Sequence, residues 1–438
     1  VAIYAFALFS YFQSVAIIGL CAVPLPPIVQ SWTQDFVWSL GIIEVPFLQE
    51  FATWYQVSTG GTPTKILATL GTKSVEVLKR SLNSGNQLSR RAQVPQTASG
   101  EYIVKGIRRV AFRENMEPTN LFFTAVIFYC LVIIVTLLAV VLFKKLSELA
   151  IRLRWAKSES RIFDAFRNNW HVTLKGIIFR LILIGFPSMT ILSLWEFTQI
   201  DSAAEVVLAI IFLVGLTTAL VLATFNVIQI AKRSGAEYKT PAYLLYADAM
   251  VLSKWGFLYV PFRASAYYYI IPTLIYVLVK GAFVGLAQNS GTVQAIALVV
   301  IEAIALIGAS VIRPWMDKST NGVNLAICSV NFINAIFLLI FTDVFNGPGL
   351  LIGVVGVIFF FLNVIFAMVL LMIVLVVATI SIWKKNPDVR YRSIADNRAS
   401  FMRSHQTLPL TTELDELGAT ARGEVKSDHE GFSASGSL

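Results

Sequence analysis

What most constrains this chain is the recurrence, eight times over, of apolar runs long enough to cross a lipid bilayer. The hydrocarbon core is about 30 Å thick and a helix rises about 1.5 Å per residue, so about twenty apolar residues are needed. Such runs occupy Val1–Val23, Leu121–Phe143, Gly176–Phe197, Val206–Ile230, Tyr267–Leu286, Thr292–Ile312, Val323–Phe345 and Leu350–Trp383. Only 14% of the residues are charged, against about a quarter in soluble proteins, and the deficit is concentrated in these runs. The sequence therefore predicts an all-α polytopic membrane protein with about eight transmembrane helices, interfacial helices and a disordered C-terminal tail. The last run is overlong, about 50 Å as a helix, and must tilt, kink or project beyond the bilayer.

Lysine and arginine in short connectors set the expected orientation. Residues 144–175 carry Lys144, Lys145, Arg152, Arg154, Lys157, Arg161, Arg167 and Lys175. Residues 231–266 carry five more, and Arg313, Lys318, Lys384, Lys385, Arg390 and Arg392 follow later runs. The opposite turns, Ile200–Glu205, Ala287–Gly291 and Asn346–Gly349, have none. The net charge of +9 is thus a topology signal, and with no recognisable nucleic-acid module a nucleic-acid partner is not expected. Val1 and the C-terminus are expected in the cytosol. The chain begins inside an apolar run without a start methionine, so a fragment lacking its natural N-terminal part is the simplest expectation.

Residues 24–120 then form a lumenal or extracellular loop, whose ten basic residues are tolerated because loops over about 60 residues are largely exempt from the charge rule. Within it, Phe36–Tyr55 is aromatic and apolar but too short to span, and is read as interfacial or re-entrant. On the cytosolic side, Leu146–Asn169 alternates apolar and basic residues at helical spacing, suited to an anionic leaflet or to packing on the bundle. Residues 384–438 are polar and expected to be disordered. Ser393 and Ser400, each following arginine, are phosphorylation candidates.

Cys21, Cys130 and Cys328 lie in apolar stretches, and His171, His405 and His429 are scattered. That leaves no disulfide framework and no metal-ligand spacing. No nucleotide loop, dinucleotide fingerprint or catalytic triad is present, so neither an enzyme nor a cofactor is expected.

Ionisable and polar residues inside spans are expensive and mark candidate function. Glu302 falls near the middle of its run and must be protonated, paired or hydrated. Lys280 either snorkels or pairs with Glu302, and Arg180 lies four residues into its run, where snorkelling is expected. Asn324, Asn331 and Thr342 share one helical face, with Asn334 to one side. Such a stripe lines a hydrated cation path or serves as interhelical hydrogen-bonding glue. The final run opens with Gly349, Gly353 and Gly356, a small-residue face suited to close helix contact. Deeper in it, Phe359 and Phe360 beside Asn363 form a candidate hydrophobic gate.

Three segments carry a resemblance: Tyr11–Ile43 (YFQSVAIIGLCAVPLPPIVQSWTQDFVWSLGII), Thr53–Thr64 (TWYQVSTGGTPT) and Val311–Phe345 (VIRPWMDKSTNGVNLAICSVNFINAIFLLIFTDVF). Together with Asp396–Phe401, they make the chain similar to the fungal TRP-like family of flavin carriers and polycystin-like channels. The resemblance implies an upstream lumenal domain like lipid-recognition domains, followed by a further helix. It also implies a role in calcium homeostasis, cell-wall maintenance or FAD movement, in the endoplasmic reticulum, vacuole or plasma membrane. One departure matters: only Thr342–Leu350 joins the last two spans, too short for the pore loop of tetrameric TRP channels.

The leading expectation is a Ca²⁺-permeable, lipid- or tension-sensitive channel with its path along Asn324, Asn331 and Thr342, near Glu302, gated by the last helix. Membrane lipids, sterol or anionic, are the expected partners, and a homo-oligomer is expected as a dimer in preference to a tetramer. A carrier for FAD or a lipid, using Lys280, Arg180 and the proline-broken spans at Pro187 and Pro272, is the alternative. The third reading is a non-transporting scaffold.

Overall fold

The computed structural model describes residues 2–64, 104–152, 170–238, 242–342, 344 and 348–383. Its helices are α1 (Ala2–Gly19), α2 (Pro27–Gln34), α3 (Pro46–Ser58), α4 (Ile107–Arg113), α5 (Leu121–Arg152), α6 (Trp170–Gln199) and α7 (Ala203–Tyr238). There follow α8 (Tyr243–Ala247), α9 (Ala249–Tyr259), α10 (Ile270–Leu286), α11 (Gly291–Ile312), α12 (Lys318–Ile340) and α13 (Gly349–Trp383). Among the described residues, the one extended pairing is an isolated bridge between Phe262 and Trp315. Eight helices among the described residues, α1, α5, α6, α7 and α10 to α13, are long and apolar enough to cross a membrane. The protein is an all-α, multi-pass membrane protein. The tail with Ser393 and Ser400, and residues 153–169 of the amphipathic connector, lie outside the described residues.

Helix is the form these runs take because lipid offers no partner to a backbone N–H or C=O, and a helix satisfies both internally. Four of the eight overrun the bilayer: α5, α6, α7 and α13 have 32, 30, 36 and 35 residues, or about 45–54 Å. The chain alternates between two ends of the bundle. One, the turn end, carries the Ile200–Ser202 and Ala287–Ser290 turns. The other, the basic end, carries Lys144, Lys145, Lys175, Lys254, Arg263, Arg313 and Lys318 among the described residues.

The main core lies toward the turn end, where the segment after α1 folds back into the bundle. Val29, Val37, Leu40 and Ile42 are buried there. Gln13 Nε2 donates to the Ser39 and Ile184 carbonyls at 3.1 and 3.0 Å, and the Ser188 hydroxyl donates to the Leu40 carbonyl. Ser188 stands eleven residues short of the end of α6, about 16 Å along the helix. The stretch thus dips into the bundle and returns toward the same end, re-entrant with respect to the bundle itself. Gly41, at φ 77° with Phe128 close against it, makes the turn at its tip, a left-handed position that glycine takes without steric cost. α3 then returns outward along α5. Tyr55 stacks on Phe123 at 4.4 Å, Asn120 Nδ2 donates to Thr53 Oγ1 at 2.9 Å, and Phe47 and Trp54 face outward. Pro27 and Pro46 open α2 and α3, at the helical position where a missing N–H costs nothing.

A folded collar closes the basic end. α8 and α9 pack on α6 and α7, with the Tyr259 hydroxyl donating to the Leu245 carbonyl at 2.5 Å. Arg263 ties the collar to the end of α11 through the Pro314 and Ile312 carbonyls, each at 2.7 Å.

Candidate functional site

The buried polar groups sort into closed networks and groups left open. Lys280 on α10 and Glu302 on α11 form an ion pair of 2.6 Å, with side chains 8% and 4% exposed. Tyr276, one turn before Lys280, donates to Glu302 Oε1 at 2.8 Å and accepts from Lys280 Nζ at 3.1 Å. The paired alternative is the one found, and the two charges cancel.

The expected polar stripe on α12 does not act as one surface. Asn324 Nδ2 donates to the Thr320 carbonyl of its own helix at 2.9 Å, and the Thr342 hydroxyl to the Leu339 carbonyl at 2.5 Å. Asn331 Nδ2 reaches Ser14 on α1 at 3.3 Å. Asn334, off the stripe, meets Asn363 of α13 in a reciprocal amide pair, 2.8 Å each way. Tyr11 of α1 donates to Asn363 Oδ1 at 2.7 Å, and Asn363 Nδ2 also donates to the Phe359 carbonyl at 2.8 Å. Both amides are dry and shared by three helices, which makes them glue. The gate candidates belong to the same packing: Phe359 is buried against Phe337 and Phe341, and Phe360 packs on Trp32 of the re-entrant segment. Arg180 is exposed on the outside of α6 and is not brought to Lys280.

At the turn end, Arg109 of α4 caps α1. Its guanidinium is 3% exposed and donates to the carbonyls of Gly19, Cys21 and Val23 at 2.8, 3.1 and 2.9 Å. These carbonyls would otherwise lack partners, and a cation suits a helix C-terminus. Burial pushes the guanidinium down to about 10, so it stays charged at neutral pH. Gln294 accepts from the Ala22 N–H at 2.7 Å, and Gln288 donates to the Leu20 carbonyl at 2.9 Å.

Open groups recur on several elements, among them Gln49 and Gln56 of α3, Thr217 and Thr224 of α7 and Asn331 of α12, and α6 carries three in a row. Thr190, Ser193 and Glu196 follow at intervals of three residues, are at most 1% exposed, and have side-chain oxygens without a hydrogen-bond partner among the described residues. Several hydroxyls elsewhere in the spans return to their own helix, as Thr136, Thr273 and Ser310 do at 2.7–2.9 Å, whereas Thr217 and Thr224 of α7 do not. Thr190 lies against Gly281, and Gly285 against the Ile191 carbonyl, which brings α10 onto this part of α6. The row ends at three carboxylates, Glu196, Asp201 and Glu205, each offering an oxygen within 4.8 Å of the others. Burial pushes the Asp201 carboxyl up, and the Arg108 guanidinium pulls it back in part. Sequence reasoning passed over these residues because Glu196 and Glu205 sit at the margins of apolar runs, where charge is ordinary. The three-residue spacing of Thr190, Ser193 and Glu196 was the available signal.

The family model for the transient receptor potential (TRP) ion channel matches residues 1–402. The chain belongs to that family. It is 39% identical over 412 residues to flavin carrier protein 2 of Saccharomyces cerevisiae, covering 90% of this chain and 52% of the relative. It is 36% identical to flavin carrier protein 1 of the same yeast, covering 97% and 54%. A TRP-like ion channel of Schizosaccharomyces pombe is 30% identical, covering 91% and 56%. The chain spans about half the length of these curated relatives. No solved structure matches it.

Proposed function

We propose that this bundle is a cation-permeable, Ca²⁺-conducting TRP-like channel responsive to lipid or tension, serving calcium homeostasis and cell-wall maintenance. In this reading the basic end and the C-terminus face the cytosol. The turn end faces the lumen or exterior of the endoplasmic reticulum, vacuole or plasma membrane. The observation that carries it is the α6 row of buried, unpartnered oxygens ending in carboxylates. An unpaired buried polar group costs about 1–3 kcal/mol, and water or a passing cation removes that cost. Oxygen donors on a helix face also match what a hard cation takes in place of hydration. We place the path along α6 in preference to the α12 stripe, where Asn324 and Thr342 turn back to their own chain segment and only the Nδ2 of Asn331 crosses to another helix.

Purified protein in liposomes tests this by Ca²⁺ flux under membrane stretch. The isosteric pair Thr190→Val and Ser193→Ala removes two oxygens and no packing volume of consequence. The double variant is expected to lose flux about tenfold while keeping or gaining thermal stability. Absence of cation flux in the wild type under stretch and lipid change sinks the reading.

The names of the yeast relatives favour a second reading, a carrier moving FAD across the membrane. A pyrophosphate needs convergent cations, whereas Lys280 is spent on Glu302 and Arg180 lies on the exterior of α6. Labelled FAD uptake above that of empty vesicles, without ion flux, would move the assignment to the carrier.

A further inference from the structure

We propose that Glu196, Asp201 and Glu205 form a binding site for one divalent cation, Ca²⁺ in preference to Mg²⁺, that pins the α6–α7 turn to the re-entrant hairpin. The geometry suits a single ion. Ca²⁺ binds oxygens at about 2.3–2.6 Å, so two ligands on opposite sides of it stand about 4.8 Å apart. The three carboxylates each present an oxygen within that span of the other two.

The charge is right as well. Three carboxylates this close cannot all ionise without compensation. The cation acting on Asp201 is Arg108, held by Gln199 Oε1 at 2.5 Å. With all three ionised around a bound ion, three negative charges against one positive leave two, which one divalent ion offsets.

Two further observations point to a ligand. Glu196 is completely buried and, apart from the Asp201 backbone N–H acting on it, its carboxylate oxygens have no hydrogen-bond partner among the described residues, while it faces the other two carboxylates. Gln56 of α3, 1% exposed, donates through Nε2 to both Glu205 oxygens at 3.1 and 3.2 Å and to the Thr119 carbonyl at 2.6 Å. Its Oε1 is left without a partner. An amide oxygen is an ordinary Ca²⁺ ligand, and exchanging the two ends of the Gln56 amide would turn Oε1 toward Glu205. A site made of protein oxygens favours Ca²⁺ over Mg²⁺, which gives up its water reluctantly. Ser202 holds the turn in place, receiving the Glu205 N–H at 3.2 Å and the Thr59 hydroxyl at 3.3 Å. Thr59 and Gln56 both belong to the end of the re-entrant hairpin, so an ion here joins α3, α6 and α7.

The site does not depend on conduction, because binding is read without flux. The full chain is purified in nanodiscs, stripped with chelator and titrated with CaCl₂ or MgCl₂ at fixed pH, following heat of binding and thermal midpoint. One saturable Ca²⁺ per chain is expected, with Mg²⁺ about tenfold weaker and a midpoint that rises with Ca²⁺ concentration. Asp201→Asn, at a half-exposed turn position that folding tolerates, should weaken binding at least about tenfold with the ion-free midpoint unchanged. Glu196→Gln should abolish the midpoint shift. No saturable Ca²⁺ uptake by the wild type, or uptake unchanged in Asp201→Asn, overturns the proposal.

Discussion

Lys280 and Glu302 carry the largest stake of any pair in the bundle, because each is tolerable only through the other. An unpaired charge in a low-dielectric interior costs several kcal/mol, while a close pair of apolar residues there costs little. Glu302→Met alone should therefore destabilise the bundle by about 3–5 kcal/mol, and Lys280→Met alone by a similar amount. The double variant should lie near the wild type. Thermal melts of the four proteins in one detergent form the double-mutant cycle. Additive losses would show that the pair is not coupled. Both charges stood out in the sequence as interruptions of apolar runs, and pairing was one of the readings open to them. Spacing could not decide it, since register between α10 and α11 is set by their packing. Arg109 was invisible for a different reason: it sits in a loop where basic residues are common, and only its burial at the end of α1 distinguishes it.

Among the helices, close approach is governed by where glycine lets one backbone reach another. A Cβ on Gly285 would stand 2.7 Å from the Ile191 carbonyl of α6, and a backbone oxygen in a helix cannot step aside. Gly285→Ala should cost about 1–3 kcal/mol and open the α6–α10 contact on which the oxygen row lies. Gly353 on α13 has open space around its Cβ direction, so Gly353→Ala should be neutral or stabilise the helix by about 0.5–1 kcal/mol. Equal losses from the two substitutions would mean that this contact is not what holds α10. The Gly349, Gly353 and Gly356 face illustrates what periodicity conveys and what it omits. Of the last two, Gly356 meets Pro26 of the re-entrant segment and Gly353 meets nothing. The eight long helices were readable because length and lack of charge directly encode a bilayer crossing. Phe36–Tyr55 stayed open between surface and interior, since a short apolar stretch suits both. Ser188, Gln13 and Phe128, distant in sequence, draw Ser39, Leu40 and Gly41 into the bundle, while Phe47 and Trp54 of the same stretch stay exposed.

At the scale of the whole molecule, the question is whether one chain suffices for a path. Tetrameric channels assemble theirs at a central axis, from pore loops that the short Thr342–Leu350 connection does not provide. The proposed path follows α6, which is flanked within the same chain by α5, α7, α9 and α10. α13, by contrast, presents Val354, Phe361, Ile365 and Met372 outward, a surface for lipid or for a second copy. A dimer through such a face would place two independent paths side by side instead of building one between subunits. Flux should then scale with the first power of protein density in liposomes. At dilutions leaving most vesicles with no chain or one, the fraction that conducts should follow single-hit statistics. Fluorescent Ca²⁺ entry, measured across about a hundredfold range of protein-to-lipid ratio, separates the cases. A second- or fourth-power dependence would place the path between subunits and remove α6 from it. First-power scaling that persists after Asn334→Leu, a substitution in the interhelical amide pair, would further separate the path from the glue.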